Sequence, residues 1–598
     1  MLGKIILLLA CTALGCARAE TLEELLAQAR PLLPPGAGQV NSMPAEIGTA
    51  RPLVVIGAPT NPVMHIEIKQ AVSEAWHALI GKNFSEPLQQ GDVCLLTLQA
   101  RATAAPENGR GWAVVNVQVN AAPWEKTVTE AIKPGREWLR FTIPFVAKFA
   151  IPAGKGGFNI SLGYQPQTLE IADAQLWKFP RGFAFQRLPQ PPKTYVGREP
   201  DAPWRREALE RIEKLRRAQL AVSVVDAQGR PVPGVQVRIE QQRHAFGFGT
   251  AVVAARLGWD DADSRKYRAV VDENFSRIVT ENDLKHFAVE NWDKPGNARK
   301  NFSRETADFA INWARARGMS VRGHYLCWGN MEPWSEKLEQ AGTPEEIHAC
   351  ILAHARTLVA FAGDRICEWD AINHPVPFNR VLTDVLGPDI YVTLLKEFRA
   401  LTKTPLWINE DPIEQNRALR FAQVLEMLAA RGVAPDGAGV MSHFRDSSLP
   451  SIAEQQGYLD RYARSAQRVE VTEYDIETRD DQLQADHLRD MLILHYAHPA
   501  CTGFVIWGFW EKQHWRPDAC MWRADWTERP SVATWREWVK GKWWTHATCA
   551  TDAAGKFSAQ VWEGTHRLTV VRDGQPLATN SVTVASGGTA QVQLVLKP

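Results

Sequence analysis

The sequence predicts a multidomain chain. A central closed (β/α)8 barrel, a TIM barrel, follows an N-terminal β-sandwich and interrupts a second, smaller β-sandwich. Three observations predict this. The chain has 598 residues, too many for one hydrophobic core, since domains run to about 100–250 residues. Its first third is a series of short apolar alternations punctuated by Gly, Pro and Asn, which read as strands. From about Phe246 to Trp544, β-rich apolar runs alternate with helical periodicity instead.

At the N-terminus, Lys4 precedes the apolar run Ile5-Ile6-Leu7-Leu8-Leu9-Ala10, and Ala17-Arg18-Ala19 offers a small-x-small cleavage site before Glu20. Residues 1–19 therefore read as a secretory signal peptide, too short to span a bilayer. The expected product is exported, periplasmic or extracellular. Ala13-Leu14-Gly15-Cys16 is a poor lipobox, so a lipid-anchored form is the lesser alternative. No later stretch is transmembrane. Net charge is +1 with both signs interspersed, so neither nucleic acid nor an anionic membrane is an expected partner. Trp is the outlier, 23 residues against 9 Tyr. Flat indoles stack on the apolar faces of sugar rings as well as filling cores. Outside the signal, Cys94, Cys327, Cys350, Cys367, Cys501, Cys520 and Cys549 are scattered without CxxC spacing. That opposes a disulfide scaffold and a zinc site and leaves a single Cys501–Cys520 bridge as an option. No metal or organic cofactor is indicated.

Residues 20–188 carry the first sandwich. Val93-Cys94-Leu95-Leu96-Thr97-Leu98, Ala113 to Val119 and Trp138 to Ile143 are typical strands. Gly91-Asp92-Val93, Gln99-Ala100-Arg101-Ala102, Pro123-Trp124 and Ile171 to Leu176 make it resemble the jelly-roll carbohydrate-binding modules often joined to glycanases. Residues 189–217 read as a Pro-rich linker, Pro189 to Pro203, and a charged helix, Arg205 to Arg217. Residues 218–244 and 545–598 then look like two halves of one small domain. The strand–turn–strand Leu220 to Ile239, with Gly229-Arg230-Pro231-Val232-Pro233-Gly234 at its turn, pairs in style with Thr551-Asp552-Ala553-Ala554-Gly555-Lys556-Phe557. Together they resemble immunoglobulin-like regulatory folds, with the barrel, 245–544, inserted between them. Close barrel termini permit such an insertion.

The barrel strands are expected at Phe246–Val252, Ile278–Asn282, Val321–Trp328, Cys367–His374, Leu406–Glu410, Gly437–His443, Val469–Ile476 and Thr502–Gly508. Helices such as Pro344–Phe361 and Ile413–Arg431 follow. In a βα barrel the site lies at the C-terminal strand ends. Polar residues converge there: Glu281 and Asn282 on strand two, His324 on three, Asn373-His374 on four, Asn409-Glu410-Asp411 on five, Ser442-His443 on six, and Glu473 and Asp475 on seven, with Trp507 on eight. Such convergence makes this end the default site.

These residues make the barrel resemble glycoside hydrolase family 10, the retaining endo-β-1,4-xylanases. Val279 to Lys285, Arg322 to Trp328, Trp369 to Asn373, Val471 to Ile476, and Trp507-Gly508 with Trp515-Arg516-Pro517 carry the resemblance. It implies that Glu473 is the nucleophile, oriented by His443 and Asp475. It implies substrate contacts from Glu281, Asn282, Lys285, His324 and Asn373, with Trp328, Trp507 and Trp515 stacking on sugar. The sequence departs from the family at three positions. His374, followed by Pro375, stands where the acid/base Glu belongs. Gly329 replaces a His, and Met441 replaces a Gln. Retaining glycosidases need two carboxyl groups about 5–5.5 Å apart. Imidazole has an ordinary pKa of about 6.5, close to the roughly 6 of a tuned catalytic Glu, so His374 can carry the proton. Glu410 on the next strand is the other candidate acid. The expected activity is therefore that of an exported xylanase-like glycanase acting on a xylan-type polysaccharide. The alternative is a polysaccharide-binding protein with a retired active site.

Overall fold

The computed structural model describes residues 20–34, 38–72, 74–105, 110–190, 193–292, 294, 302–329, 335–376, 382–412 and 415–596. The export signal expected over 1–19 lies outside them. The chain divides into two compact units, Met1–Pro192 and Lys193–Pro598.

The first unit is a pair of antiparallel sheets. One runs in the order Gly48–Leu53, Val63–Ile68, Gln167–Lys178, Val93–Ala104, Leu139–Val146, with Arg30–Pro31 added to the third of these. The other has five strands in the order Gln39–Ser42, Leu79–Phe84, Gly156–Ser161, Ala113–Val119, Lys126–Ile132. Alternate residues of both face one core, including Leu96, Leu98, Val115, Val117, Phe158 and Ile171. A one-residue slip would send these apolar sets to solvent, so the alternation pins the register.

In the second unit, Gly247–Val252, Arg277–Thr280, Ser320–His324, Glu368–Asn373, Leu406–Glu410, Gly437–Arg445, Val469–Glu477 and Cys501–Ile506 close into a parallel barrel. Every expected strand is present, with ends displaced by a few residues. The third and fourth stop at His324 and Asn373, so Trp328 and His374 sit on loops just past their strands. The seventh strand shows why the period-two reading works poorly in a barrel. All of Val469–Ile476 is buried, apolar residues against the helices and polar ones against the lumen. The lumen's lower half is filled by charge. Arg277 and Arg322 are both bonded to Glu368, Arg277 also to Glu470, and Arg322 to Asp370. Two guanidiniums among three carboxylates satisfy one another where neither sign could be buried alone.

Two further sheets draw on both flanks of the barrel. Arg217–Val225 lies between Lys556–Trp562 and Thr589–Val595, and Gln236–His244 lies between His546–Ala550 and Gly564–Arg572, with Gln575–Val584 at the edge. Leu220, Val222, Val237, Ile239, Leu568 and Val570 form their shared core. The latter part of the Pro-rich segment expected as a linker is tied to the barrel helix Asp481–Tyr496, because Tyr195 donates to Asp490 at 2.9 Å. The helix Pro203–Arg216 follows, and its Arg205 grips the same Asp490 in a bidentate pair at 2.9 and 2.8 Å. Arg216 caps the carbonyls of Tyr496, His498 and Cys501. Two charges of this helix, Arg205 and Arg216, are thus structural. Cys501 and Cys520 are buried free thiols, so the bridge considered between them is not formed. No helix of the described residues is long and apolar enough to cross a membrane.

Candidate active site

The site is built around Glu473, 4 % exposed in the mouth of the lumen. Its Oε1 accepts from Asn409 Nδ2 at 2.9 Å, and its Oε2 accepts from His443 Nε2 at 3.1 Å. His443 Nδ1 in turn donates to Asp475 Oδ2 at 2.9 Å. Parallel pairing explains the alignment, since Met441 lies beside Glu473 and His443 beside Asp475. Burial disfavours a charge on His443, but Asp475 and Glu473 outweigh it and raise its pKa to about 10. The ring is therefore an imidazolium donating from both nitrogens. Burial likewise opposes ionisation of Glu473, yet His443, His324 and His374 hold its carboxyl below the usual range. An anionic, oriented oxygen pair results.

Asp475 is held from outside as well. Trp515 Nε1 donates to its Oδ2 at 2.8 Å and Arg516 reaches its Oδ1 at 3.3 Å. Arg516 also lies 4.1 Å over the Trp515 ring, which is half exposed. Trp515 thus presents a fixed indole plane at the rim. Trp507 is 6 % exposed and packs edge-on against His324 at 5.2 Å. On strand three, His324 donates through Nδ1 to Asp370 at 2.9 Å and stands 4.0 Å from Glu473. Glu281, Asn282 and Lys285 follow strand two, with Lys285 donating to Asn282 at 3.0 Å. Burial, then the nearby Glu473, pushes the Glu281 carboxyl up against the opposing pull of Lys285.

Asn373, 4 % exposed, accepts from Asn409 at 2.9 Å. His374 then turns the chain with φ +52°, a left-handed conformation that costs a non-glycine residue free energy and often marks a functional position. Its ring stacks on Trp328 at 5.7 Å, and its Nδ1 meets Glu410 Oε1 at 3.1 Å. Because a carboxylate only accepts, Nδ1 carries the hydrogen. Glu410 has no exposed surface, and it also accepts from the backbone N–H of Val376 at 2.7 Å and of Asp411 at 2.8 Å. Its oxygens are enclosed behind His374. Gly329 is part of the same construction. A Cβ there would lie 2.2 Å from the His374 carbonyl oxygen and 2.8 Å from Pro375 Cα, so no side chain fits while strand four ends as it does.

All the residues expected from the sequence gather at this end of the barrel. Reading the sequence alone left three without a role: Asn409, Asp370 and Arg516. Asn409 joins Glu473 to Asn373 and is itself fixed by Thr472 Oγ1, which donates to its Oδ1 at 2.6 Å. A polar residue at the same strand end as Glu473 was the available signal. Among the described residues no cluster of His, Cys, Asp and Glu could hold a metal ion.

A buried, ionised carboxylate at the seventh strand end thus stands beside an imidazolium that packs edge-on against Trp507 and Trp515. Residues 239–537 match glycosyl hydrolase family 10, and the chain belongs to that family. It is 28 % identical over 309 residues to Endo-1,4-beta-xylanase A of Phanerodontia chrysosporium, covering 48 % of this chain and 72 % of that protein. It is also 27 % identical over 383 residues to Anti-sigma-I factor RsgI6 of Acetivibrio thermocellus, covering 62 % of this chain. The chain spans 47 % of that protein's length and 37 % of Endo-1,4-beta-xylanase 1 of Arabidopsis thaliana. Among solved structures, xylanase 10B from Thermotoga maritima aligns with TM-score 0.44 and 22 % identity, over 50 % of this chain and 96 % of that one.

Proposed function

We propose that the barrel is a retaining endo-β-1,4-glycanase of the xylanase kind, exported and acting on xylan or a related β-linked polysaccharide. Glu473 serves as nucleophile and His374 as proton donor and acceptor. The observation that carries this reading is the ionised Glu473, oriented by Asn409 and the His443 imidazolium, at the mouth of the barrel. An idle cleft has no need of a buried anion held this way.

One Glu473 oxygen attacks the anomeric carbon as the glycosidic C–O bond breaks, giving a covalent glycosyl–enzyme. Protonated His374 gives its Nε2 proton to the departing oxygen and becomes neutral. Water then attacks the glycosyl carbon, His374 Nε2 takes a proton from that water, and Glu473 leaves as carboxylate. Glu410 accepts from Nδ1 throughout, which keeps Nε2 as the working nitrogen. In this reading Glu410 positions His374 and is not a second acid. Asn373 would hold the 2-hydroxyl, Glu281, Asn282, Lys285 and His324 the neighbouring sugar, and Trp328, Trp507 and Trp515 its flat faces.

The test is release of reducing ends from xylan by the protein and by Glu473→Gln. Release is expected from the first alone, and equal release by both sinks the reading. A second reading is favoured by one observation, the imidazole at the acid/base position: a polysaccharide-binding barrel without turnover, in keeping with a relative named as an anti-sigma factor. Xylo-oligosaccharide binding with no hydrolysis by the wild type, and hydrolysis gained by His374→Glu, supports that reading instead.

A further inference from the structure

We propose that the barrel carries out phosphorolysis as well as hydrolysis: inorganic phosphate competes with water for the glycosyl–enzyme, and the cut chain then leaves as a β-configured glycosyl phosphate. This step rests on the reading of Glu473 as nucleophile and His374 as proton donor, and adds a second acceptor to it.

Placing an imidazole at position 374 changes the charge there as well as the proton carrier. A carboxylic acid that protonates the leaving oxygen becomes an anion, whereas an imidazolium becomes neutral. The second half-reaction retraces the first. The acceptor therefore approaches the anomeric carbon through the place the departing chain vacated, beside the group that gave the proton. With two carboxyl groups, every acceptor meets a negative charge at that place. Water tolerates it and uses the carboxylate as its base, but a phosphate dianion is repelled. In this chain the acceptor meets a neutral ring. The His374 side chain is 19 % exposed, while Glu410 behind it is wholly buried.

The charges around the glycosyl–enzyme point the same way. Glu473 is an ester at that stage and carries none. Glu410 accepts from three donors, His374 Nδ1 at 3.1 Å and the backbone N–H groups of Val376 at 2.7 Å and Asp411 at 2.8 Å. Burial pushes the carboxyl groups of Glu281 and Asp411 up, towards their neutral forms. The His443 imidazolium keeps Asp475 at 2.9 Å but no longer has an anion at its Nε2. Arg516 lies 3.3 Å from Asp475, Arg417 3.7 Å from Asp411, and Lys285 3.0 Å from Asn282. Esterification of Glu473 thus raises the net charge of the mouth by one, and no carboxylate at position 374 cancels the gain.

Phosphate also suits an imidazole partner. Neutral His374 keeps its hydrogen on Nδ1, towards Glu410, and Nε2 becomes an acceptor. HPO4²⁻ donates its P–OH hydrogen to Nε2 and attacks through an ionised oxygen, which needs no base. The bond from that oxygen to the anomeric carbon forms as the bond to Glu473 breaks, and the electron pair returns to Glu473 as carboxylate. The P–OH proton passes to His374 and replaces the one given to the departing chain. A glycosidic linkage and HPO4²⁻ have then become a glycosyl phosphate dianion and a free hydroxyl, with no net proton released. Two inversions at the anomeric carbon retain the β configuration.

The experiment gives the full-length protein an aryl β-xylobioside, whose leaving group departs without a proton, in increasing inorganic phosphate at constant pH and ionic strength. Aryl release reports formation of the glycosyl–enzyme, and phosphorus NMR with chromatography reports its fate. The expected product is xylobiosyl β-phosphate, whose ratio to free xylobiose rises in proportion to phosphate. His374→Glu restores a carboxylate at the acceptor's entry and is expected to lower that ratio at least about a hundredfold. His374→Ala leaves the position uncharged and is expected to keep the phosphate product, which guards against misfolding of His374→Glu. A ratio of products is in any case insensitive to the fraction of protein folded. Aryl release that yields xylobiose alone at every phosphate concentration overturns phosphorolysis and leaves the glycosidase reading standing; no aryl release by the wild type overturns both. An α-configured phosphate, an equal ratio in wild type and His374→Glu, or loss of the phosphate product in His374→Ala overturns phosphorolysis as well.

Discussion

His443→Gln separates the electrostatics of the site from its shape. His443 is 8 % exposed and lies between two carboxylates, at 3.1 Å from Glu473 and 2.9 Å from Asp475. Its pKa is raised to about 10, against about 6.5 for histidine in an unfolded chain. At about 1.36 kcal/mol per unit, the difference corresponds to about 5 kcal/mol. A raised folded-state pKa contributes stability that is fully present below about pH 6.5 and is lost as pH climbs through about 10. Glutamine fills similar space and hydrogen-bonds without charge. Wild type is therefore expected to exceed the variant by several kcal/mol at pH 6, the gap closing progressively towards pH 10. Urea unfolding of both proteins at intervals of one pH unit reads this directly. The acid limb of kcat/KM on an aryl xylobioside is expected to move to higher pH, because Glu473 loses the cation that keeps it ionised. An aryl leaving group departs without protonation, so His374 stays out of this measurement. Two stability curves that run parallel from pH 6 to 10 would refute the assignment of His443 as an imidazolium.

Four other outcomes follow from the same geometry. His374→Ala is expected to lower xylan hydrolysis about 10²–10⁴-fold, the usual contribution of a positioned acid/base, and to spare aryl glycosides; comparable losses on both substrates remove His374 from proton transfer. Asn409→Ala strips a hydrogen bond from Glu473 and one from Asn373, so a kcat decrease and about 1–3 kcal/mol lower stability are expected from kinetics and urea titration. Gly329→His restores a family residue yet drives a Cβ to 2.2 Å from the His374 carbonyl; calorimetry is expected to record destabilisation of about 1–3 kcal/mol. Arg205→Leu leaves Asp490 buried with Arg489 and Tyr195 as its polar partners among the described residues, and because Arg489 still pairs its charge a stability loss of about 1–3 kcal/mol is expected in urea.

Much of this architecture is legible in one sequence because each βα unit carries its own signal. Apolar runs such as Leu406–Glu410 and the periodic helix Pro344–Ala362 identify themselves locally. Strand ends are less legible. Arg322-Gly323-His324-Tyr325-Leu326-Cys327-Trp328 is apolar enough to read as strand throughout, and only backbone pairing stops it at His324. Glu473, His443 and Asp475 could be grouped from their motifs. Asn409 could not be joined to Glu473, because that contact spans two strands whose offset is a property of the closed barrel. Arg322, Glu368 and Glu470 were equally opaque, since a charged residue within a strand ordinarily reads as solvent-facing. The charged helix expected from Arg205 to Arg217 is present as Pro203–Arg216, but its local sequence could not show that Arg205 and Arg216 find their partners in the distant helix Asp481–Tyr496 and the turn that follows it.

Strand Arg217–Val225 pairs with Lys556–Trp562 and Thr589–Val595, and that pairing imposes an order of events on synthesis. At about 5–20 residues per second, the first of these strands leaves the ribosome some tens of seconds before either neighbour exists. Through that interval its edges are unpaired, a state prone to promiscuous β-association. Closure of the barrel, emerging in between, brings the two chain ends together and lowers the loop-entropy cost of the final pairing. The small sandwich thus acts as a completion seal, one that zips up most readily around a barrel already formed.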